Sequence, residues 1–244
     1  MLGRAACLPL LQRQHRDPAS VTAFTPAMHS MHNFLKAVLA PEALPPRIIY
    51  VDERAERPTV LIYSDASNNA SGKGLGIVCI DMESGEEFFS SAQCPAWLLE
   101  AFAQERDWAF TGWPAGIDAP RMSQEICQLE TLAAAAALLT FADGLAGSPV
   151  WHFMDNISAL SAVVHGYSGK PDMARLANLY NLARAKHSID VWCEYVPSAE
   201  NIADIPSKPT TDWSVLLGRN MTRVHMVLPS AHQWSNPQSI LSLA

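Results

Sequence analysis

The sequence predicts a mixed α/β fold, in which a three-strand antiparallel meander joins parallel strands to make a five-stranded sheet with helices on both faces. Three observations carry this. Short β-prone runs early in the chain are separated by turns of a few residues, the pattern of hairpins. Later apolar runs alternate with helical stretches, the pattern of parallel αβ units. The 244 residues are 49% hydrophobic and 17% charged, enough apolar material for a core and too little charge for a disordered chain.

The elements follow in order. Residues 1–46 read as an extension that closes on Pro41, Pro45 and Pro46, a stiff, helix-breaking mark. The run 60–63 is continuous and β-prone, as in a strand covered on both faces. A turn containing Gly72 and Gly74 leads to a second strand at 75–80, and a weaker third lies at 87–91. Residues 95–122 read as an insertion punctuated by Trp97, Trp108, Trp113, Pro114 and Pro120, with one helix near 96–109. Ser123 is placed to cap a long helix running to about Ala142. A buried strand at 150–154 precedes a short helix from about Asn156 and a further helix at 171–187. The last strand spans 189–196, and a polar helix near 199–205 ends at Pro206. Residues 210–244 show no readable motif.

Composition narrows the function. Seventeen Lys and Arg against 24 Asp and Glu leave a formal charge of −7, which excludes coating nucleic acid through bulk charge. Any polyanion must be met by a local basic patch or by bound metal. Cys7, Cys79, Cys94, Cys127 and Cys193 are odd in number and widely spaced, so a disulfide framework or a zinc module is not expected. The longest continuous apolar run is 132–139, short of the ~18 residues of a membrane span. Arg4, Arg13 and Arg16 stand without an acid in the first 16 residues, but Pro9 interrupts the apolar stretch. The expectation is an intracellular chain, cytoplasmic or nuclear, not secreted and without a membrane partner.

Four carboxylates fall in informative places. Asp65 ends the first buried strand and Asp155 the fourth, and ligands of α/β sheets gather at the carboxyl ends of parallel strands. On a helix advancing ~100° per residue, Glu130 falls within ~40° of Ile126, on the stripe that Ala133 and Ala137 share. A carboxylate on a sheet-facing stripe is costly unless paired or bound to metal. The alanines at 133–137 let that helix lie close to the sheet. Asp204 follows the last strand. Each also has an ordinary reading, since an Asp at a strand end is usually a turn former or cap, Asn156 caps as well as Asp155, and Glu130 can snorkel.

These residues resemble a family. In order and context Asp65, Glu130, Asp155 and Asp204 match the Asp-Glu-Asp-Asp set of type-1 ribonuclease H domains, most nearly those of retrotransposon reverse transcriptases of the DIRS-like and LTR kinds. Four segments carry the likeness: 63–67, 126–133, 153–156 with 165–168, and 195–208, where Val196-Pro197-Ser198 leads to Asn201, Ala203-Asp204, Ser207 and Lys208. It covers about 58–209. The resemblance implies a ribonuclease H-like domain at 47–209, flanked by an upstream stub at 1–46 and a tail at 210–244. It also implies hydrolysis of the RNA strand of RNA–DNA hybrids and two Mg²⁺ ions, replaceable by Mn²⁺. Asp65 would bridge the ions, Glu130 and Asp155 complete one site, and Asp204 the other. Many cellular members carry a loop histidine about ten residues before the fourth aspartate; here Glu194 holds that place.

Hard cations want oxygen ligands, and four carboxylates supply about −4 against two divalent ions. Without metal such clustering is repulsive. For substrate, the matching segments suggest Ser67, Asn156, Asn201 and Lys208, and a basic stretch at 165–188 adds Lys170, Arg175 and Lys186. Arg175 and Lys186 are about three turns apart and share a helix face. A solvated helix face explains these charges equally well. The rival functions are an inactive ribonuclease H-like module that binds nucleic acid or protein, and a 3′–5′ exonuclease of the same fold. An upstream reverse transcriptase domain is the other expected partner. The glycines at 72–76 read as a hairpin turn, His29 and His32 lack further ligands, and the tryptophans read as core.

Overall fold

The structure is a computed structural model, and it describes residues 26–40, 59–110, 125–208 and 212–242. The chain runs α1 (Pro26–Val38), β1 (Val60–Asn69), β2 (Gly72–Asp81), β3 (Glu87–Gln93), α2 (Ala96–Phe110), α3 (Glu125–Leu145), β4 (Pro149–Met154), α4 (Ile157–His165), α5 (Pro171–Lys186) and β5 (Asp190–Tyr195). It continues through α6 (Asp204–Ser207), α7 (Ser214–Gly218), β6 (Thr222–Arg223) and α8 (Ala231–Ser235), and closes on a 3₁₀ turn at Pro237–Ser242. The expected Ser123 cap lies outside the described residues, as do Trp113, Pro114 and Pro120.

The sheet order is β5-β4-β1-β2-β3-β6. β1, β2 and β3 form the antiparallel meander, and β4 and β5 run parallel to β1. This is the expected mixed sheet, an antiparallel meander joined to parallel strands, with one strand more than expected. The sixth, a two-residue strand, pairs with Phe88 and Phe89 at the far edge. A strand that short leaves no periodicity to read.

A layer packs on each face of the sheet. On one face Ile62, Leu75, Ile77 and Val150 pack against Leu129, Leu132 and Leu138 of α3 and Leu176 and Leu179 of α5. On the other, Val78 and Phe89 meet Leu216 and Met221, with Ile202 and Ile205 beside them. The alanines at 133–137 are all fully buried, so α3 is enclosed on every side, as an apolar-all-round helix must be. α3 has the length and apolar character of a membrane-crossing segment, yet it is the central helix of this core.

Three readings are corrected. α5 was expected to present a basic, solvated face; instead most of it is buried, from Met173 and Ala174 through Ala183, because α3, α4 and the C-terminal 3₁₀ turn pack around it. The tail joins the core: Met226, Trp234 and Ile240 belong to its main cluster, as does Phe34 of α1. Pro206 does not end the polar helix but lies within α6, where a residue in the first turn has no intrahelical use for an N–H. Glu194 lies inside β5, within the strand expected at 189–196.

Candidate metal centre

Asp65 lies where the parallel pair parts. β1 and β4 pair as far as Ser64 and Met154; the next residues are Asp65 and Asp155. Asp65 does not end β1, which runs on against β2 to Asn69, so the expected strand end is the end of the β4 pairing alone. Asp155 does stand just past its strand, and Asn156 supplies the cap. The Asn156 Oδ1 accepts the N–H groups of Ser158 and Ala159 at 3.0 and 3.1 Å and so caps α4.

Glu130 comes from the second turn of α3 and is 5% exposed, like Asp65. One ligand atom from each of Asp65, Glu130 and Asp155 lies within 4.8 Å of the other two. The Ala66 backbone favours the charged forms of both Glu130 and Asp65, against the larger effect of burial. Among the described residues, Glu130 Oε2 and Asp155 Oδ1 are buried without a hydrogen-bond partner. A buried carboxylate oxygen without a donor is costly.

The electrostatics follow from this crowding. Burial first, then the charges of Asp155 and Asp204, push Asp65 up to about 7, although a hydrogen bond with the Ser207 side chain pulls the other way. Burial, with Asp65 and Asp155 adding to it, pushes Glu130 up to about 10. Without a cation the cluster therefore holds protons that isolated carboxylates would lose.

Asp204, the expected fourth member, lies outside this trio. Its carboxylate is half-exposed and pairs with Lys208 Nζ at 2.5 Å, though its charge still reaches Asp65. That pairing also explains Lys208, which holds Asp204 rather than standing free for substrate.

What fixes these elements is mostly backbone. Asn201, expected to meet substrate, is 3% exposed; its Nδ2 donates to Ser64 O at 3.1 Å and its Oδ1 accepts the Ala203 N–H. Ser67 likewise turns inward and donates to Ser207 O at 2.6 Å. Gly76, the residue paired with Asp65 across the meander, lets α6 lie on the sheet. A Cβ there would sit 2.3 Å from Ser207 N and 2.4 Å from Ala203 O. Beneath Asp65, Ser64 Oγ meets His152 Nε2 at 2.9 Å, and His152 Nδ1 meets the Tyr180 hydroxyl at 3.1 Å. His152 is fully buried, and that burial pushes it down to about 3, so its imidazole stays neutral.

Of the basic stretch, Arg175 is taken by the C-terminal segment. Its guanidinium donates to Trp234 O at 3.0 Å and lies 5.2 Å from the Trp234 ring centre. An arginine that meets both a carbonyl and an indole takes part in the packing. Lys170 is exposed at the head of α5, and Lys186 is half-buried at its end. Sequence reasoning missed Gly76, Ser207 and His152. For Gly76 a signal existed, a strand with glycine at alternate positions 72, 74 and 76, which marks close backbone approach.

No family model and no curated protein matches the chain. Among solved structures it is similar to the RNase H1 of the halophilic archaeon Halobacterium salinarum, at 18% identity and TM-score 0.38, covering 59% of this chain and 89% of that one. It is also similar to the N-terminal RNase H domain of Mycobacterium tuberculosis rv2228c, solved as a maltose-binding protein fusion, at 17% identity and TM-score 0.41, covering 66% and 99%. A third is LC11-RNase H1, isolated from compost by a metagenomic approach, at 16% identity and TM-score 0.41, covering 61% and 91%. The topology and the site define a mixed α/β domain with a buried carboxylate trio at the parting of its parallel strands.

Proposed function

We propose that this chain is an intracellular metal-dependent endonuclease that hydrolyses the RNA strand of RNA–DNA hybrids, as the ribonuclease H part of a retroelement reverse transcriptase. One observation carries the metal: Glu130 Oε2 and Asp155 Oδ1 are buried, without a partner among the described residues, and within reach of Asp65. An all-oxygen set of this kind suits a hard divalent cation, Mg²⁺ or Mn²⁺. When bound, such ions supply Lewis-acid chemistry: a more acidic water and a stabilised leaving oxygen.

The chain's own residues do the rest. Asp65, Glu130 and Asp155 would hold one ion, and Asp65 with Asp204 a second. Because Asp65 and Glu130 keep protons when empty, loading the site releases them, and affinity rises with pH. Lys208 neutralises Asp204 until that carboxylate is needed. Ser67 and Asn201 tie the segment that carries Asp204 to β1. Recognition of the hybrid would rest on groove shape, phosphates and 2′-hydroxyls rather than on base sequence; Lys170 and Lys186 are the remaining basic candidates. An upstream polymerase domain would be the covalent partner of residues 47–209.

A second reading, a ribonuclease H-like module that binds without cutting, is favoured by the closed Asp204–Lys208 pair. One assay separates the two. Cleavage of an end-blocked RNA–DNA hybrid that needs Mg²⁺ or Mn²⁺, stops with EDTA and is lost in Asp65→Asn supports the nuclease. Metal-independent hybrid binding with no cleavage at any Mn²⁺ concentration establishes the module instead.

A further inference from the structure

Parallel strands are almost always covered on both faces. Here the second layer, α6 and α7, lies over β1, β2 and β3, and the outer face of β4 and β5 extends beyond it. That face is aromatic. Leu61, Trp151 and Trp192 stand in one row across β1, β4 and β5, and Tyr63, Phe153 and Glu194 in the next. Phe153 stacks on Tyr63 at 4.8 Å between ring centres and meets Trp151 edge-on at 6.2 Å. Yet Trp192 is 63% exposed and Trp151 39%. Two adjoining exposed indoles, on a side of the parallel pair that no element among the described residues covers, mark a surface for a partner.

The charges around it select the occupant. Asp190 and Glu194 flank Trp192 on the same side of β5, and the Trp192 indole N–H donates to Glu194 Oε2 at 3.1 Å, which holds that carboxylate over the face. Arg184 reaches Asp190 at 3.7 Å, leaving the Glu194 end acidic. A second copy would set these acids against their like, and nucleic acid would bring phosphates to them; both are disfavoured by the chain's own charge of −7. A helix is the element that covers parallel sheets. Its diameter of roughly 10 Å spans two strands set about 4.8 Å apart, and its i, i+4 side chains match alternate residues of a strand.

We propose that the Trp151–Trp192 face of β4 and β5 docks an amphipathic helix of a partner protein whose apolar stripe is flanked by Lys or Arg. The probe is a synthetic 18-residue amphipathic helix of Leu and Lys, compared with a Leu/Glu peptide of the same apolar stripe and with a 20-nucleotide oligo(dT). Titrated into the full chain, the Leu/Lys peptide is expected to bind at micromolar concentration and to shift the indole N–H signals of Trp151 and Trp192. Trp192→Ser should weaken it at least tenfold. Glu194→Lys, an exposed change that leaves the core alone, should weaken it similarly and favour the Leu/Glu peptide. Three results overturn the proposal: Leu/Lys binding equal in both variants, oligo(dT) that displaces the peptide from Trp192, or a wild-type dimer in sedimentation that Trp192→Ser dissolves.

Discussion

Gly76→Ala tests how the fourth carboxylate is brought to the other three. The added methyl would lie 2.3 Å from Ser207 N, 2.4 Å from Ala203 O and 2.8 Å from Pro206 C. All three are backbone atoms of the segment that carries Asp204, so no side chain can swing aside. Restoring a contact of about 3.5 Å requires α6 to lift by roughly 1 Å. Overpacking typically costs ~1–3 kcal/mol, and a rigid neighbour puts this site near about 3 kcal/mol. The lift also strains the bonds that α6 and its lead-in make to β1, Ser67 Oγ to Ser207 O and Asn201 Nδ2 to Ser64 O. Urea unfolding should show a midpoint lower by about 1 M, for a slope of about 2–3 kcal/mol/M. In the same preparation, Mn²⁺ should raise the melting temperature less than it does in wild type, because Asp204 and Ser207 have moved off Asp65. A variant with wild-type stability and an undiminished response to Mn²⁺ would refute the account of α6 seated on glycine.

Asp65→Asn should stabilise the metal-free chain at pH 8 but not at pH 3. Folded Asp65 titrates at about 7 against the ordinary 3.8, so between these values the folded state binds the extra proton, stability falls as pH rises, and the deficit is complete above 7. At ~1.36 kcal/mol per unit the ceiling is about 4 kcal/mol, to be read from melts in EDTA; an Asn variant no more stable at pH 8 counts against the crowding. His152, with its opposite trend from about 3 to 6.5, is common to both proteins and cancels. Glu130→Gln should abolish the stabilisation of the chain by Mn²⁺ in a thermal shift assay while raising its metal-free melting temperature; a retained Mn²⁺ shift removes Glu130 from the ligand set. Arg175→Ala should cost about 1–2 kcal/mol through loss of the Trp234 contacts. It should also leave the salt dependence of hybrid binding unchanged, and a flatter slope would return Arg175 to the phosphate surface.

The strand runs and the long helices were legible because each is long enough to show its period, and Glu130 stood out as an acid on an apolar stripe. The trio was legible for the same reason: strand ends and helix faces are local facts. Whether Asp204 joins it was not, because that depends on how α6 seats on β2, a contact between residues about 130 positions apart. The basic helix was misread for a related reason. Periodicity places Arg175 and Lys186 on one face of α5 but says nothing about Trp234, which reaches that helix from the C-terminal segment. The flanks were misread because isolated apolar residues such as Phe34, Met226 and Ile240 carry no pattern; only the assembled core reveals that they fill it.

Three mutually repelling acids come together only if the elements that carry them are held by something else, and each is. β1 is held by its pairing with β2 and β4 and by the Ser64–His152–Tyr180 chain beneath Asp65. α3 is held by an alanine run fully buried in the core, and β4 by its register with β1 and β5. None of these anchors uses a carboxylate of the trio. The scaffold therefore overrides the cluster's repulsion, and the two classes of substitution should diverge in sign. Neutralising an acid of the trio relieves the metal-free fold, whereas removing an anchor such as His152 weakens it at every pH where the imidazole is neutral. That divergence is the signature of a pocket imposed by the fold for a ligand, since a purely structural network loses stability whichever of its members is removed.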